Sequence, residues 1–160
     1  MRKSLNLVSA VIVYALLTVG CQKDNPNKIN EPQEVESLVG TNWQLIAYVD
    51  VENDISRPPK GWEDNPPNLY SYLLSFGTDN QISGRAGNVL IGNYSIDYNT
   101  NKLSIFIKIV TEAIGLPEQN LYEESLNQVQ SFIVKKGTSD TLLLFYNNDR
   151  NCLKFLEWKE

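Results

Sequence analysis

From residue 41 onward, the chain consists of short segments in which apolar residues occupy every second position. The segment GNYSIDYN (92–99) places Tyr94 on one face and Ser95 on the other, as in a half-buried strand. After the polar turn NTNK, the segment KLSIFIKIV (102–110) alternates in the same way, with Lys108 on its polar face. Two alternating segments joined by a short polar turn predict a β-hairpin.

One segment has the helical period instead. Tyr122, Leu126 and Val129 recur at helical spacing, and Pro117 suits a first turn, which predicts a helix from about 117 to 130. The stripe is expected to cover the core, with partner binding as the alternative. The predicted fold is mainly β (α+β), a compact antiparallel β-sheet or partly closed barrel of about eight strands with one covering helix. The remaining strands are predicted at 41–51, 70–76, 81–86, 131–136, 141–147 and 152–159.

The N-terminus has the features of an export signal. Arg2 and Lys3 precede an apolar run over 5–19, which is shorter than the roughly 20 residues of a membrane-spanning helix. A buried first helix is the alternative, but it leaves the basic start and the abrupt change to polar sequence unexplained. We therefore expect residues 1–20 to be a signal peptide.

The signal ends in LTVGC (17–21), which resembles the lipobox of bacterial lipoproteins. The resemblance implies that Cys21 is diacylated and becomes the first residue of a lipid-anchored protein; an ordinary secretory signal with an incidental cysteine is the alternative. Two acyl chains hold a protein firmly in a membrane. Gln22 follows the cysteine, and the sorting rules of these lipoproteins then favour the outer membrane, on a face that the sequence does not specify. Residues 21–36 predict a lipidated N-terminus and flexible linker, and 37–160 a single domain.

The composition excludes several functions. Histidine is absent, which removes Ser–His and Cys–His nucleophile pairs and histidine-based metal or haem sites. Without the two basic residues of the signal, 12 basic residues stand against 19 acidic ones, a net charge of −7 that disfavours nucleic-acid binding. If Cys21 is acylated, Cys152 has no intramolecular partner, and its strand-like surroundings predict a buried, inert thiol. No cofactor or metal is predicted.

The segments LVGTNWQLIAY and YLLSFGTDNQISGRAGNVLIGNYSID resemble the META (HslJ-like) domain. Its Gly-x-x-Trp-x-Leu strand, Ser-Gly turn, Asn and Gly-x-Tyr strand match Gly40, Trp43, Leu45, Phe76, Ser83, Gly84, Asn88, Gly92 and Tyr94. The resemblance covers about 38–160. It implies a compact antiparallel domain with a covering helix, usually on exported or lipid-anchored bacterial proteins, and it implies no catalytic residues. Many members of the family carry cysteines at the two positions where this chain has Gly87 and Gly115, so this chain cannot form a disulfide between those positions.

Two residues are candidates for a binding site. Trp62 lies in the proline-rich insertion 51–68, where it could stack on a sugar or anchor a partner protein. The alternative is that Trp62 folds back over the sheet edge. Arg85, in the Ser83-Gly84-Arg85 turn, could present its charge to an anion or could simply be solvated.

These observations leave three hypotheses about function. The favoured one is a non-enzymatic lipid-anchored envelope protein that binds an envelope protein or maintains the envelope. The second is a binder of a small apolar or carbohydrate ligand, for which an internal cavity would be expected. The third is a carboxylate-based hydrolase, which would need two acids converging in a cleft.

Overall fold

The computed structural model describes residues 37–60, 72–111 and 116–159. Within these residues the chain forms nine strands and one helix, and that helix is not long and apolar enough to cross a membrane. In chain order the elements are β1 (Asn42–Asp50), β2 (Ile55–Arg57), β3 (Leu73–Phe76), β4 (Gln81–Ala86), β5 (Asn88–Asp97), β6 (Lys102–Ile109), α1 (Gln119–Asn127), β7 (Val129–Lys135), β8 (Thr141–Tyr146) and β9 (Asn151–Glu157).

Eight of the strands close into an antiparallel barrel. Each strand from β3 to β9 pairs with the next along the chain, and β9 pairs back onto β1 from Asp50↔Asn151 to Trp43↔Glu157. The start of β1 pairs with β3, and its end pairs with β2, which is the one extra strand. The prediction of a mainly β fold of about eight antiparallel strands with one helix is confirmed, and the barrel is closed.

The barrel interior is filled by side chains. Alternate residues of each strand point inward, as the two-residue period requires. Phe76 and Tyr94 meet edge to face at 5.1 Å between ring centroids, and Tyr72 and Tyr122 do so at 5.4 Å. This aromatic-rich interior is a packed core. Its aromatic members are Trp43, Tyr48, Tyr72, Phe76, Tyr94, Tyr122, Phe132 and Phe155.

The helix lies where β6 and β7 diverge. These strands share one register pair, Lys102↔Ser131, and α1 contacts β6 beyond it. Tyr122, Leu126 and Val129 are buried, so the prediction that the stripe covers the core is confirmed. The predicted helix end is wrong, because α1 ends at Asn127 and Val129 already begins β7.

The predicted strands are displaced at some ends. β5 begins at Asn88 rather than at residue 92, and β3 begins at Leu73 rather than at 70. The insertion 51–68 contains β2, whose three residues are all exposed and which therefore shows no apolar alternation. Cys152 is buried in β9, as the strand pattern predicts, and burial raises the pKa of its thiol to about 11.

Candidate functional site

Two of the three residues singled out from the sequence, Cys21 and Trp62, lie outside the described residues. The third, Arg85, is exposed on β4, where it is paired in register with Leu73 on β3 and Val89 on β5. Arg85 is therefore part of the outer barrel surface. It lies two residues along β4 from Ser83, which lines one of the two hollows described below.

The most exposed large apolar side chain among the described residues is Phe106, at 68%. It points outward from β6, while Ile105 and Ile107 on either side of it are buried in the core. The outward residues around it form successive rungs across the barrel wall. We call this surface the Phe106 face, defined by the rungs Ser83–Ile91–Lys108, Asn93–Phe106 and Ser95–Ser104.

Close approach of the two central strands shapes this face. A β-carbon on Gly92 would collide with the carbonyl oxygen of Phe106, so β6 can come this near to β5 only because residue 92 has no side chain. Gly84 on β4 behaves similarly, since a β-carbon there would lie 2.6 Å from the carbonyl oxygen of Leu73. Glycines at such points let a barrel wall bend sharply.

Two hollows lie along the Phe106 face. The first, of about 620 Å³, is the Ser83 hollow; its lining includes Asn42, Ser75, Gln81, Ser83, Asn93 and Phe106. The second, of about 690 Å³, is the Ser104 hollow; its lining includes Ser95, Asp97, Lys102, Ser104 and Gln130. Phe106 lines the first hollow and stands one rung from Ser104 in the second.

Amides and hydroxyls supply most of the polar groups in both linings, beside apolar residues such as Ile82 and Ile91 in the Ser83 hollow and Ile96 in the Ser104 hollow. Within the parts of the chain that the structure describes, the side chains of Asn42, Ser75, Gln81, Ser83, Asn93, Ser95 and Ser104 have no hydrogen-bond partner. The charged side chains in these linings are Lys108 in the Ser83 hollow and Asp97 and Lys102 in the Ser104 hollow. In the Ser104 hollow Asp97 faces Lys102, and a hydrogen bond from Thr100 is the main cause that holds the pKa of the Asp97 carboxyl below its ordinary value.

A second cluster, which we call the Glu118 clamp, consists of Glu118, Arg57, Tyr48 and Tyr72. The Glu118 side chain is 7% exposed, and the Arg57 guanidinium lies 2.9 Å from one of its carboxylate oxygens and 3.0 Å from the other. The backbone N–H of Lys60 donates to the same carboxylate at 2.9 Å. Burial raises the pKa of Glu118, but these hydrogen bonds and charges outweigh it and leave that pKa below its ordinary value.

The two tyrosines complete this clamp. The Tyr72 hydroxyl accepts a hydrogen bond from the backbone N–H of Glu118 at 3.2 Å, and Tyr72 itself has a positive φ of 58°. Arg57 lies over the Tyr48 ring at 4.8 Å, and burial raises the pKa of the Tyr48 hydroxyl. That hydroxyl is buried and has no hydrogen-bond partner within residues 37–60, 72–111 and 116–159.

The chemistry of this clamp favours a structural role. A carboxylate hydrolase uses a protonated acid of raised pKa beside a second carboxylate. Glu118 instead has a lowered pKa, and its contacts are cationic, phenolic and backbone groups. No three acidic, histidine or cysteine side chains of the described residues come together as a possible metal site. The clamp ties the start of α1 to β2 and to the end of the barrel.

Sequence reasoning missed the Phe106 face, although one signal was present. In KLSIFIKIV the buried positions are Leu103, Ile105 and Ile107, so Phe106 falls on the same face as Lys108. An aromatic residue at a polar position of an alternating strand indicates an exposed ring. The serines and amides that surround it come from other strands, and only the barrel register places them beside it.

Two solved structures have similar folds. An NMR structure of a protein from Burkholderia xenovorans matches with a TM-score of 0.63 and 20% identity, over 81% of this chain and 90% of that chain. A crystal structure of a DUF4847 family protein from Bacteroides vulgatus matches with a TM-score of 0.56 and 17% identity, over 76% of this chain and 94% of that chain. No family model and no curated protein matches the sequence. At such identities the likeness concerns the fold alone.

Proposed function

We propose that this chain is a non-enzymatic, lipid-anchored binding module of the bacterial cell envelope that engages its ligand through the Phe106 face. The observation that carries the proposal is the exposed Phe106 ring between two hollows whose linings contain amide and hydroxyl side chains, with Lys108 in one hollow and Asp97 and Lys102 in the other. The side chains that fill the barrel leave the outer surface as the place for a ligand. The META-like sequence pattern, which implies no catalytic residues, is consistent with binding rather than catalysis.

The proposed location follows from the N-terminal sequence. A signal over 1–20 and a lipobox ending at Cys21 support export and acylation, and Gln22 favours the outer membrane. The polar stretch 22–36 would then separate the barrel from the bilayer by up to about 50 Å if fully extended. A barrel held at that distance could reach envelope components beyond the lipid headgroups.

A carrier of a small apolar molecule is less well supported. Such ligands are normally enclosed by apolar walls. The interior of this barrel is occupied by its own side chains, including Trp43 and Phe155, and the two hollows lie on its outer surface, where polar groups interrupt the apolar ones. The choice between an envelope protein and an envelope polysaccharide as the ligand depends on the chemistry of the Phe106 face.

The anchor and the binding face are tested separately in the native host. We expect the wild-type chain to fractionate with membranes and the Cys21→Ala variant to be released in soluble form; firm membrane retention of that variant would contradict the lipid anchor.

A photoreactive phenylalanine analogue at position 106 should form covalent adducts with an envelope component. The same analogue at Ile133, an exposed position on β7, is the matched control. Absence of adducts at 106 would contradict the binding face.

A further inference from the structure

The Phe106 ring is the centre of the inference. Its exposure of 68% leaves a large apolar surface in water, and the core does not need the ring because Ile105 and Ile107 already fill the adjacent inward positions. One face of a sugar ring presents C–H groups and the rim presents hydroxyls. An exposed aromatic ring packs on such C–H groups while leaving the hydroxyls free to bond to neighbouring residues.

The groups around Phe106 match those hydroxyls. Ser83 and Asn93 on one side and Ser95 and Ser104 on the other offer hydroxyl and amide groups that, within the described part of the chain, bind no other side chain. Each of these groups can both donate and accept hydrogen bonds, as a sugar hydroxyl does. A row of such groups suits a polyhydroxylated ligand. The charged side chains in the two linings, Asp97, Lys102 and Lys108, leave a net charge of only +1 (2 − 1), which gives a strongly charged ligand little advantage.

The dimensions favour more than one sugar ring. From Ile91 to Ser95 the β5 strand advances four residues, or roughly 13 Å. The Ser83 hollow and the Ser104 hollow lie at the two ends of this distance, with Phe106 on the rung between them. A chain molecule that runs along β5 could occupy both hollows and stack on the ring.

A protein partner fits the same surface less well. A stable protein interface buries about 800 Å² on each partner around an apolar, aromatic centre. On the Phe106 face the exposed large apolar side chains are Phe106 and Ile91, and polar side chains surround them. A second copy of this chain would meet the same lack of apolar area.

We propose that the ligand of the Phe106 face is a neutral oligosaccharide or polysaccharide chain, which stacks on Phe106 and bonds to the amides and hydroxyls of the two hollows. This inference rests on the proposed function and specifies its ligand class. The acidic overall composition is compatible with a neutral glycan, since a polyanionic one would be repelled at long range by a mature chain whose net charge, without residues 1–20, is 12 − 19 = −7.

Calorimetric titration of the full chain, extracted from host membranes in detergent, tests this inference with cellohexaose and chitohexaose as probes. We expect at least one probe to bind with a dissociation constant of roughly millimolar or tighter. Phe106→Ala should weaken that binding about tenfold or more, and Phe106→Trp should preserve it, because stacking needs an aromatic ring. Ile133→Ala is the matched control and should bind as the wild type does.

The outcomes separate this inference from the proposed function. If neither hexasaccharide binds while the analogue at 106 forms adducts with a polypeptide, the glycan inference is wrong and the binding face stands. If there is neither sugar binding nor any adduct at 106, both fail. Sugar binding that Phe106→Ala leaves unchanged would also overturn the inference, because the site would lie elsewhere.

Discussion

The side-chain amide of Asn127 is hydrogen-bonded to the backbone of Ile107 as a neighbouring strand would be. Its oxygen accepts from the Ile107 N–H at 2.8 Å, and its nitrogen donates to the Ile107 carbonyl at 3.1 Å. These bonds lie where β6 and β7 have diverged and α1 stands between them. Asn127, at the end of α1, thus satisfies the backbone N–H and C=O groups of Ile107, which have no partner on β7 because the two strands have diverged.

Replacing Asn127 by Leu should destabilise the barrel by about 1 kcal/mol, because both bonds to Ile107 are lost and water can replace them only in part. Urea unfolding measures the change in the free energy of unfolding. Asn93→Leu is the control, since its exposed amide has no partner within the described residues. Equal stability of the two variants would show that the Asn127 amide does not stabilise the barrel where β6 and β7 diverge.

The Glu118 clamp makes stability depend on pH. Glu118→Gln should cost about 1–3 kcal/mol at neutral pH, because a buried carboxylate loses its charge-assisted bonds to Arg57 and Lys60. The half-exposed position of Arg57 places the cost at the lower end of that range. The exposed Glu124→Gln variant on the same helix is the control and should change stability little.

The direction of the pH effect follows from the lowered pKa of Glu118. A carboxyl whose pKa is lower in the folded than in the unfolded chain contributes fully above roughly pH 5, and that contribution is lost as pH falls through the folded-state pKa. The stability difference between wild type and Glu118→Gln should therefore shrink as the pH falls below the unfolded-state pKa of glutamate, about 4.3. A difference that stays constant with pH would contradict the ion pair as its source.

The sequence predicted the barrel better than the candidate site, for a physical reason. Alternation in β5 and β6 reports which side of a strand is buried, and that was enough to infer the hairpin and the strand count. Which strands become neighbours depends on pairings such as Asp50↔Asn151 across most of the chain. The Phe106 face combines side chains from β4, β5 and β6, and the Ser83 hollow beside it adds residues of β1 and β3, so no local pattern could assemble the site.

The burial of Cys152 predicts low thiol reactivity. Its thiol has a pKa of about 11, raised by burial, so it is almost entirely protonated at neutral pH. In a Cys21→Ala background, where Cys152 is the sole cysteine, iodoacetamide should label the chain only after unfolding. Adding Ser95→Cys, at an exposed position, supplies the positive control. Rapid labelling of folded Cys21→Ala would show that Cys152 is accessible.

Truncation of Phe132 should destabilise the protein strongly, whereas truncation of Phe106 should hardly change its stability. Phe132 is 1% exposed, and Phe132→Ala should cost about 3–5 kcal/mol through lost packing and the cavity left in the core. Phe106→Ala removes a mostly solvated ring and should change the free energy of unfolding by less than about 0.5 kcal/mol. Thermal or urea unfolding of both variants measures this, and a large loss for Phe106→Ala would assign the ring to folding rather than to binding.

Gly92 links stability to the shape of the binding face. A methyl group there would collide with the Phe106 carbonyl oxygen, so Gly92→Ala must push β6 away from β5 or distort both strands. We expect a loss of about 1–3 kcal/mol, as for other overpacked sites. Gly137→Ala is the milder comparison, because its β-carbon would lie 3.3 Å from the Ser139 carbonyl oxygen in an exposed turn. If the two variants are equally stable, the close approach at Gly92 does not constrain the barrel wall, and Phe106 is not held in place by it.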